Sequence, residues 1–276
     1  MSLVHHKAFG SPVGQPRTFL DAFAIQVRVI GALMMREGSS RYGHENLGFF
    51  WVMGEPLLLT VGVMAMWTMT GATHGHGDIG IVPFALSGYS LLTLWRHVAG
   101  AAALLIRRNV GLLFHRNVRV LDILISRALL ESISVLTAFF IAYVPLALLG
   151  QIAPIRDPLI LFGAWALHTW FSFAFGMIIT GWSEMSEPVE RFVAPVMYIT
   201  LPITGAFYML FWLPESAREV LAWSPLLNAQ EMFRCGLFPA DFPTYWNAWY
   251  LVGWCIILTA IGLPLIHKAQ KHVTME

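Results

Sequence analysis

Long apolar runs alternate along this chain with short polar stretches that carry arginine and glycine, and six runs reach the length of a bilayer-crossing helix. A hydrocarbon core of about 30 Å needs about 20 apolar residues in helical form. The spacing predicts spans at about 52–71, 80–106, 128–149, 158–182, 192–213 and 244–266. Two further apolar segments are too short or too mixed to cross. Residues 19–35 place Phe19, Phe23, Val27, Ile30 and Met34 at three- and four-residue spacing, one apolar stripe on a helix over about 19–37. Asp21, Arg28, Arg36, Glu37 and Arg41 supply its polar contacts. Such a helix suits the headgroup layer, or it packs on a soluble partner. Residues 215–241 are divided by Pro225 into two short apolar pieces. They read as a re-entrant helix pair in the outer leaflet, where protein or water must satisfy the backbone, or as a surface helical hairpin.

Composition agrees with membrane residence. Of 276 residues, 57% are hydrophobic and 12% charged, whereas soluble domains carry about 25% charged residues. So few charges cannot clothe a water-facing globule of this size. No N-terminal signal peptide is expected, since the first 50 residues hold no uninterrupted apolar core and no small-residue cleavage site. Cys235 and Cys255 read as free thiols.

The placement of charge orients the chain. Twelve Lys and Arg residues fall on one side: Lys7, Arg17, Arg28, Arg36, Arg41, Arg107, Arg108, Arg116, Arg119, Arg191, Lys268 and Lys271. Three fall on the other, Arg156, Arg218 and Arg234, while Arg96 and Arg127 lie in or at the edge of spans. The positive-inside rule then puts both termini in the cytoplasm and turns loops 72–79, 150–157 and 214–243 outward. No GxxxxGK[ST] motif occurs, so ATP-driven transport would need a separate ATPase chain.

Several constellations invite a function. The basic, partly apolar loop 107–122 offers Arg108, Leu112, Phe114, Arg116, Arg119 and Asp122. These suit a groove on another protein, or an ordinary loop on anionic headgroups. Arg96 and His97 interrupt the second span beside Trp95, with Tyr89 and Ser90 a turn or two earlier. A charge at that depth faces protein or a wet cavity. Arg96 is therefore expected to line a conduit, or to pair with Glu131 or Glu55. Trp67, Phe207 and Tyr208 are further lining candidates, whereas Trp51, Trp212, Trp246 and Trp249 suit interfacial belts. Arg127 and Glu131 lie four apart and can pair at the cytoplasmic mouth. Glu55-Pro56 either hinges a gate or simply starts the first span. Glu184, Glu187, Glu190 and Arg191 surround Pro188 in a cytoplasmic loop that contacts a partner or is merely solvated. His74, His76 and Asp78 sit in a glycine-rich turn, and no metal site is expected there.

Two stretches resemble a known family. Val29–Leu58 passes from the amphipathic helix through Arg41-Tyr42-Gly43 and Leu47-Gly48-x-x-Trp51 to Glu55-Pro56-Leu57. Residues 108–122 and the following Ser126-Arg127-x-Leu129-Leu130-Glu131 form the second match. Together they are similar to ABC-2 type transporter permeases of the capsular polysaccharide export branch, and the resemblance covers almost the whole chain. It implies an all-α membrane protein with six transmembrane helices. Residues 1–50 would be a cytoplasmic N-terminal segment with an amphipathic interface helix, and 51–276 the ABC-2 transmembrane domain. A short cytoplasmic coupling helix and a re-entrant helix pair before the last span complete it. The implied activity is export of lipid-linked capsular polysaccharide across the bacterial inner membrane. The implied partners are a second copy, two ABC ATPase subunits that bind ATP and Mg, a periplasmic co-polymerase and an outer-membrane export protein. No cofactor of its own, no catalytic residue and no nucleic-acid partner are expected. Arg36, Arg41, Glu55, Arg127 and Glu131 would form the cytoplasmic entrance. Alternatives are an ABC-2 permease for another cargo (O-antigen, a teichoic-acid-like polymer, lipid or drug), an ATP-independent transporter, or an intramembrane enzyme. The last finds no clustered polar groups, since His168 stands alone in its span.

Overall fold

The computed structural model describes residues 19–42, 79–114 and 118–273, with Leu58 and Gly62. Among the described residues every regular element is a helix. In chain order these are α1 (Phe19–Tyr42), α2 (Ile81–Ala99), α3 (Leu105–Arg108), α4 (Val110–Leu113), α5 (Val120–Leu148), α6 (Pro158–Met185), α7 (Glu187–Ile199), α8 (Glu215–Leu221), α9 (Pro225–Leu237) and α10 (Ala248–Val273). Four stretches of the described residues are long and apolar enough to cross a membrane: Ile81–Arg108, Val120–Leu148, Pro158–Met185 and Ala248–His272. They correspond to the expected second, third, fourth and sixth spans. Except for Leu58 and Gly62, the expected first span, 52–71, lies outside the described residues, as do Trp51, Trp67 and residues 72–78.

The segment expected as the fifth span, 192–213, is not one continuous helix. α7 ends at Ile199, a 3-10 turn covers Leu201–Ile203, and a second covers Leu210–Trp212. Between them Gly205 adopts φ +75°, a left-handed conformation that side chains disfavour. Pro195 and Pro202 lie in this stretch and remove two backbone donors. Apolar content alone could not reveal the break.

α6 is the hub, packed against α2, α5, α9 and, along most of its length, α10. Small residues allow that last approach. A Cβ on Gly181 would lie 2.7 Å from the Leu265 Cβ, and one on Gly262 2.7 Å from the Met177 Cβ. In lipid, helix association depends on such close packing, because tails and side chains are equally apolar. α6 starts where Pro158 takes the first turn and Asp157 accepts the Ile160 N–H at 3.1 Å.

α2 runs through the centre, with every residue from Pro83 to Trp95 buried. Ser87 and Ser90 donate back to carbonyls of the preceding turn at 2.9 and 2.7 Å, so the helix carries hydroxyls without stranding them. Past Ala99 it tightens to a 3-10 stretch, Gly100–Leu104, and the Thr180 hydroxyl of α6 donates to the Ala102 carbonyl there at 2.9 Å. The core has two main parts. One, around Phe84, Phe139, Trp165 and Phe233, lies where α6 begins and α5 ends. The other, around Trp95, Phe171, Met177 and Leu258, lies toward the opposite ends.

α5 starts eight residues earlier than the apolar pattern predicts, at Val120. Its first turn is closed by Asp122, which accepts the Arg119 N–H at 3.0 Å and is also bonded by Gln26 of α1. α1 thus lies along the start of α5, with Leu33 buried and Val29 against the core. Leu20, Phe23 and Val27 stay exposed on its other face.

Candidate functional site

Arg96 projects from one face of α2 and is exposed, whereas Trp95 before it is only 1% exposed. A cavity of about 170 Å³ opens there, lined by Arg96, Gly100, Ala194, Met197 and Tyr198. The cation therefore faces α7. The expected pairing with Glu131 does not occur, because that carboxylate is engaged elsewhere; Glu55 lies outside the described residues. Two helical turns along the same face, about 10 Å away, Tyr89 meets Phe207 edge-to-face at 5.8 Å. Tyr89 is buried and Phe207 is 41% exposed. Arg96, Tyr198, Tyr89 and Phe207 thus form one line of cationic and aromatic groups between α2 and the stretch that runs from the end of α7 to Phe207. Beside it Phe192, Val196, Ile199 and Ile203 are exposed.

Two lining candidates are placed differently. Trp95 is buried against Phe171 and Phe175, with ring centroids at 5.7 and 5.1 Å, and gives no surface to a conduit. Tyr208 is half-buried, and its hydroxyl donates to the Pro202 carbonyl at 2.7 Å. Trp212, expected in an interfacial belt, is half-buried and packs 4.9 Å from the Phe84 ring with its indole nitrogen buried.

Four charged or polar side chains link three helices behind Arg96. His97 Nδ1 stands 3.1 Å from Glu131 Oε2, and Glu131 Oε1 stands 3.9 Å from Arg127. Arg127 in turn reaches Glu37 of α1 at 3.7 Å. Glu131 is 1% exposed, so it depends on Arg127 and on its contact with His97 to offset burial. The expected local pair of Arg127 and Glu131 is present, but it belongs to a network joining α1, α2 and α5. Arg36, Glu37, Asn109 and Leu112 line a narrow crevice with Arg127. Arg41 stands near the end of α1, where only the backbone is described; Glu55 lies outside the described residues.

The loop expected to couple to a partner is two single-turn helices, α3 and α4, hinged at Asn109, whose amide donates to the Leu105 carbonyl at 2.9 Å. Phe114 is 83% exposed. Arg108 and Arg119 are also exposed, while Leu112 is half-buried against the core. Arg116 lies outside the described residues. Asp122 does not join this surface: it is 1% exposed and caps α5. Arg107 bridges to Glu190 of α7 at 3.0 Å, tying the loop after α2 to the start of α7.

Sequence reasoning missed the buried pair on α9. Glu231 and Arg234 lie three apart and are both 0% exposed. Glu231 accepts the Leu210 and Tyr245 N–H groups, each at 3.2 Å. Arg234 donates to the Tyr208 carbonyl at 2.6 Å, the Ala206 carbonyl at 3.3 Å and the Ser87 hydroxyl at 3.3 Å, and its guanidinium lies 4.4 Å from the Phe84 ring centre. These two side chains satisfy backbone that the irregular 204–213 stretch cannot satisfy itself. The available signal was two opposite charges one helical turn apart in an apolar piece. Arg234, which the charge pattern places among outward basic residues, is instead buried here.

No protein-family model matches the chain. It is 36% identical over 256 residues to the capsule polysaccharide export inner-membrane protein CtrC of Neisseria meningitidis serogroup B, covering 93% of this chain and 96% of that one. It is 35% identical over 260 residues to the capsule polysaccharide export inner-membrane protein BexB of Haemophilus influenzae, covering 94% and 98%. The polysialic acid transport protein KpsM of Escherichia coli is 26% identical over 258 residues, covering 91% and 97%.

Proposed function

The chain belongs to the capsule polysaccharide export inner-membrane protein family, and from that premise we propose that it is the permease subunit of an ATP-driven exporter carrying lipid-linked capsular polysaccharide across the inner membrane. The carrying observation is similarity at 35–36% identity over nearly the full length of relatives so named. Absence of a phosphate-binding loop from the sequence supports assigning ATP and Mg to a partner ATPase.

In this reading six segments cross the membrane, the fifth as the broken 192–213 stretch, with both termini cytoplasmic. The exposed apolar side chains of α1 rest in the headgroup layer. α8 and α9 form the re-entrant pair, supported by the burial of nearly all of α9. The exposed side chains of α7 meet a second copy, and the line from Arg96 to Phe207 faces the conduit. Aromatic rings would stack on the apolar faces of sugar rings, and the guanidinium would hold carboxylate or phosphate groups. Phe114, Arg108 and Arg119 dock on the ATPase, and Glu37, Arg127, Glu131 and His97 carry its movement from α1 to α2. The co-polymerase and outer-membrane export protein would receive the glycan beyond the membrane.

Deleting the gene is the direct test. Loss of surface polysaccharide, with its lipid-linked form accumulating in the cytoplasm, is expected. Co-purification of an ATPase with the tagged chain is also expected. Unchanged surface polysaccharide in the deletion strain would reject the reading.

A further inference from the structure

A pocket of about 360 Å³ lies where the turn between α8 and α9 meets the start of α10, lined by Trp223, Asn228, Tyr245, Trp246, Asn247 and Tyr250. The orientation set by basic residues puts it on the outward side. Hydrogen bonds to backbone and side chain hold its walls. The Tyr250 hydroxyl donates to the Trp223 carbonyl at 2.6 Å. Arg218 donates to the Tyr245 hydroxyl at 3.1 Å, and its guanidinium lies 4.9 Å from that ring's centre. Asn228 Oδ1 accepts the Asn247 N–H, and Asn247 Oδ1 accepts the Tyr250 N–H, both at 3.1 Å. With both amide oxygens so used, the two side-chain NH2 groups remain as donors at the pocket.

We propose that this pocket is a carbohydrate subsite that holds one sugar unit of the glycan on the outward side of the protein. The proposal rests on the reading of the cargo as a polysaccharide. Aromatic faces accept the C–H face of a pyranose ring, while the two amide NH2 groups donate to its hydroxyls. The Arg218 guanidinium, bonded to the Leu210 and Leu213 carbonyls and the Tyr245 hydroxyl, fixes the wall instead. An interfacial belt would need rings turned toward lipid. Trp249 is placed for that, 84% exposed and no part of the pocket wall. An acyl chain would need an apolar lining throughout. The groove of about 480 Å³ between α5 and α6, among Leu129, Phe162, Trp170 and Phe173, is of that more apolar kind. The α8–α10 pocket differs in pairing aromatic walls with directed donors, the combination that orients a small polar ligand.

The test uses the full-length chain in lipid nanodiscs, with oligosaccharides cut from capsular polysaccharide stripped off the host's own surface. Saturation-transfer NMR and tryptophan fluorescence read binding. Trp223 is 74% exposed, so Trp223→Ala leaves the fold intact. It is expected to weaken binding at least tenfold, with Trp223→Phe retaining most of it and Tyr250→Phe giving an intermediate loss. A photo-crosslinking residue at 223 is expected to capture glycan in exporting cells. Failure of the parent protein to bind, equal binding by Trp223→Ala, or capture of lipid or protein alone would each overturn the subsite. The export reading fails separately, if deleting the gene leaves surface polysaccharide in place.

Discussion

His97 on α2 and Glu131 on α5 stand 3.1 Å apart, one residue beyond the point where Arg96 turns to the opposite surroundings of α7. Adjacent residues of one helix therefore serve two ends. His97 ties the helix inward to α5, and Arg96 points to the cavity. The network behind His97 ends on α1, so a displacement of α1 can reach the helix that carries Arg96 through side chains already in contact.

Removing the centre of that network should destabilise the protein. Glu131→Ala removes the buried carboxylate that faces both His97 and the half-buried Arg127, and breaking such a pair costs about 3 kcal/mol. A lower melting temperature and reduced yield in detergent are expected. His97→Ala should cost less, because His97 is partly exposed and Glu131 keeps Arg127. Thermal denaturation followed by size-exclusion chromatography checks the order; equal stability of both variants and parent would remove the network from the account.

Arg96→Ala should leave yield unchanged and slow export roughly tenfold, the loss expected from hydrogen bonds to a charged group at about 1.5–3 kcal/mol. Arg96→Lys should also be impaired, since an ammonium lacks the paired donors of a guanidinium. Quantifying surface polysaccharide at matched protein level is the measurement. Full activity in Arg96→Ala would show that the cation does not face the cargo.

Phe114→Asp replaces a ring that is 83% exposed, so stability should change by no more than about 0.5 kcal/mol. Membrane level is expected to stay normal while ATPase stimulation and export fall together. A cysteine at 114 should react with a membrane-impermeant reagent only in inside-out vesicles. Reaction from outside intact cells would put the docking surface on the wrong side.

Arg234→Ala should be among the most damaging single changes, at about 3–5 kcal/mol, because it strands the Tyr208 and Ala206 carbonyls in the core and leaves buried Glu231 without the positive charge one turn away. Arg218→Ala, at a more exposed site, should cost about 1 kcal/mol or less. Protease resistance and melting temperature in detergent separate them. A loss of about 1 kcal/mol or less in Arg234→Ala would mean that the 204–213 stretch holds its shape without Arg234.

The long helices were legible because lipid imposes a length and composition that appear directly in the order of residues. Val120–Leu148, Pro158–Met185 and Ala248–Val273 overlap the expected spans closely, apart from the early start of α5 and the continuation of α10 seven residues past 266. That start depends on Asp122 closing the first turn and meeting Gln26, a contact 96 residues away along the chain. No local pattern announces it, and Asp122 reads as one more polar residue of the loop. The break in 192–213 was hidden likewise, because apolar content is blind to whether backbone groups are satisfied by the same helix or by Glu231 and Arg234.

The sequence by itself determined membrane residence, the sidedness expected from its basic residues and the family resemblance, because these follow from composition, charge placement and short motifs. Only the tertiary structure decided which polar side chains face a cavity and which are consumed by neighbours. Trp95 went to the core, Arg96 to the α7 cavity and Arg234 to the service of distant carbonyls. The physical reason is that burial and hydrogen-bond partnership are settled between helices, and two successive residues on one helix point in directions about 100° apart.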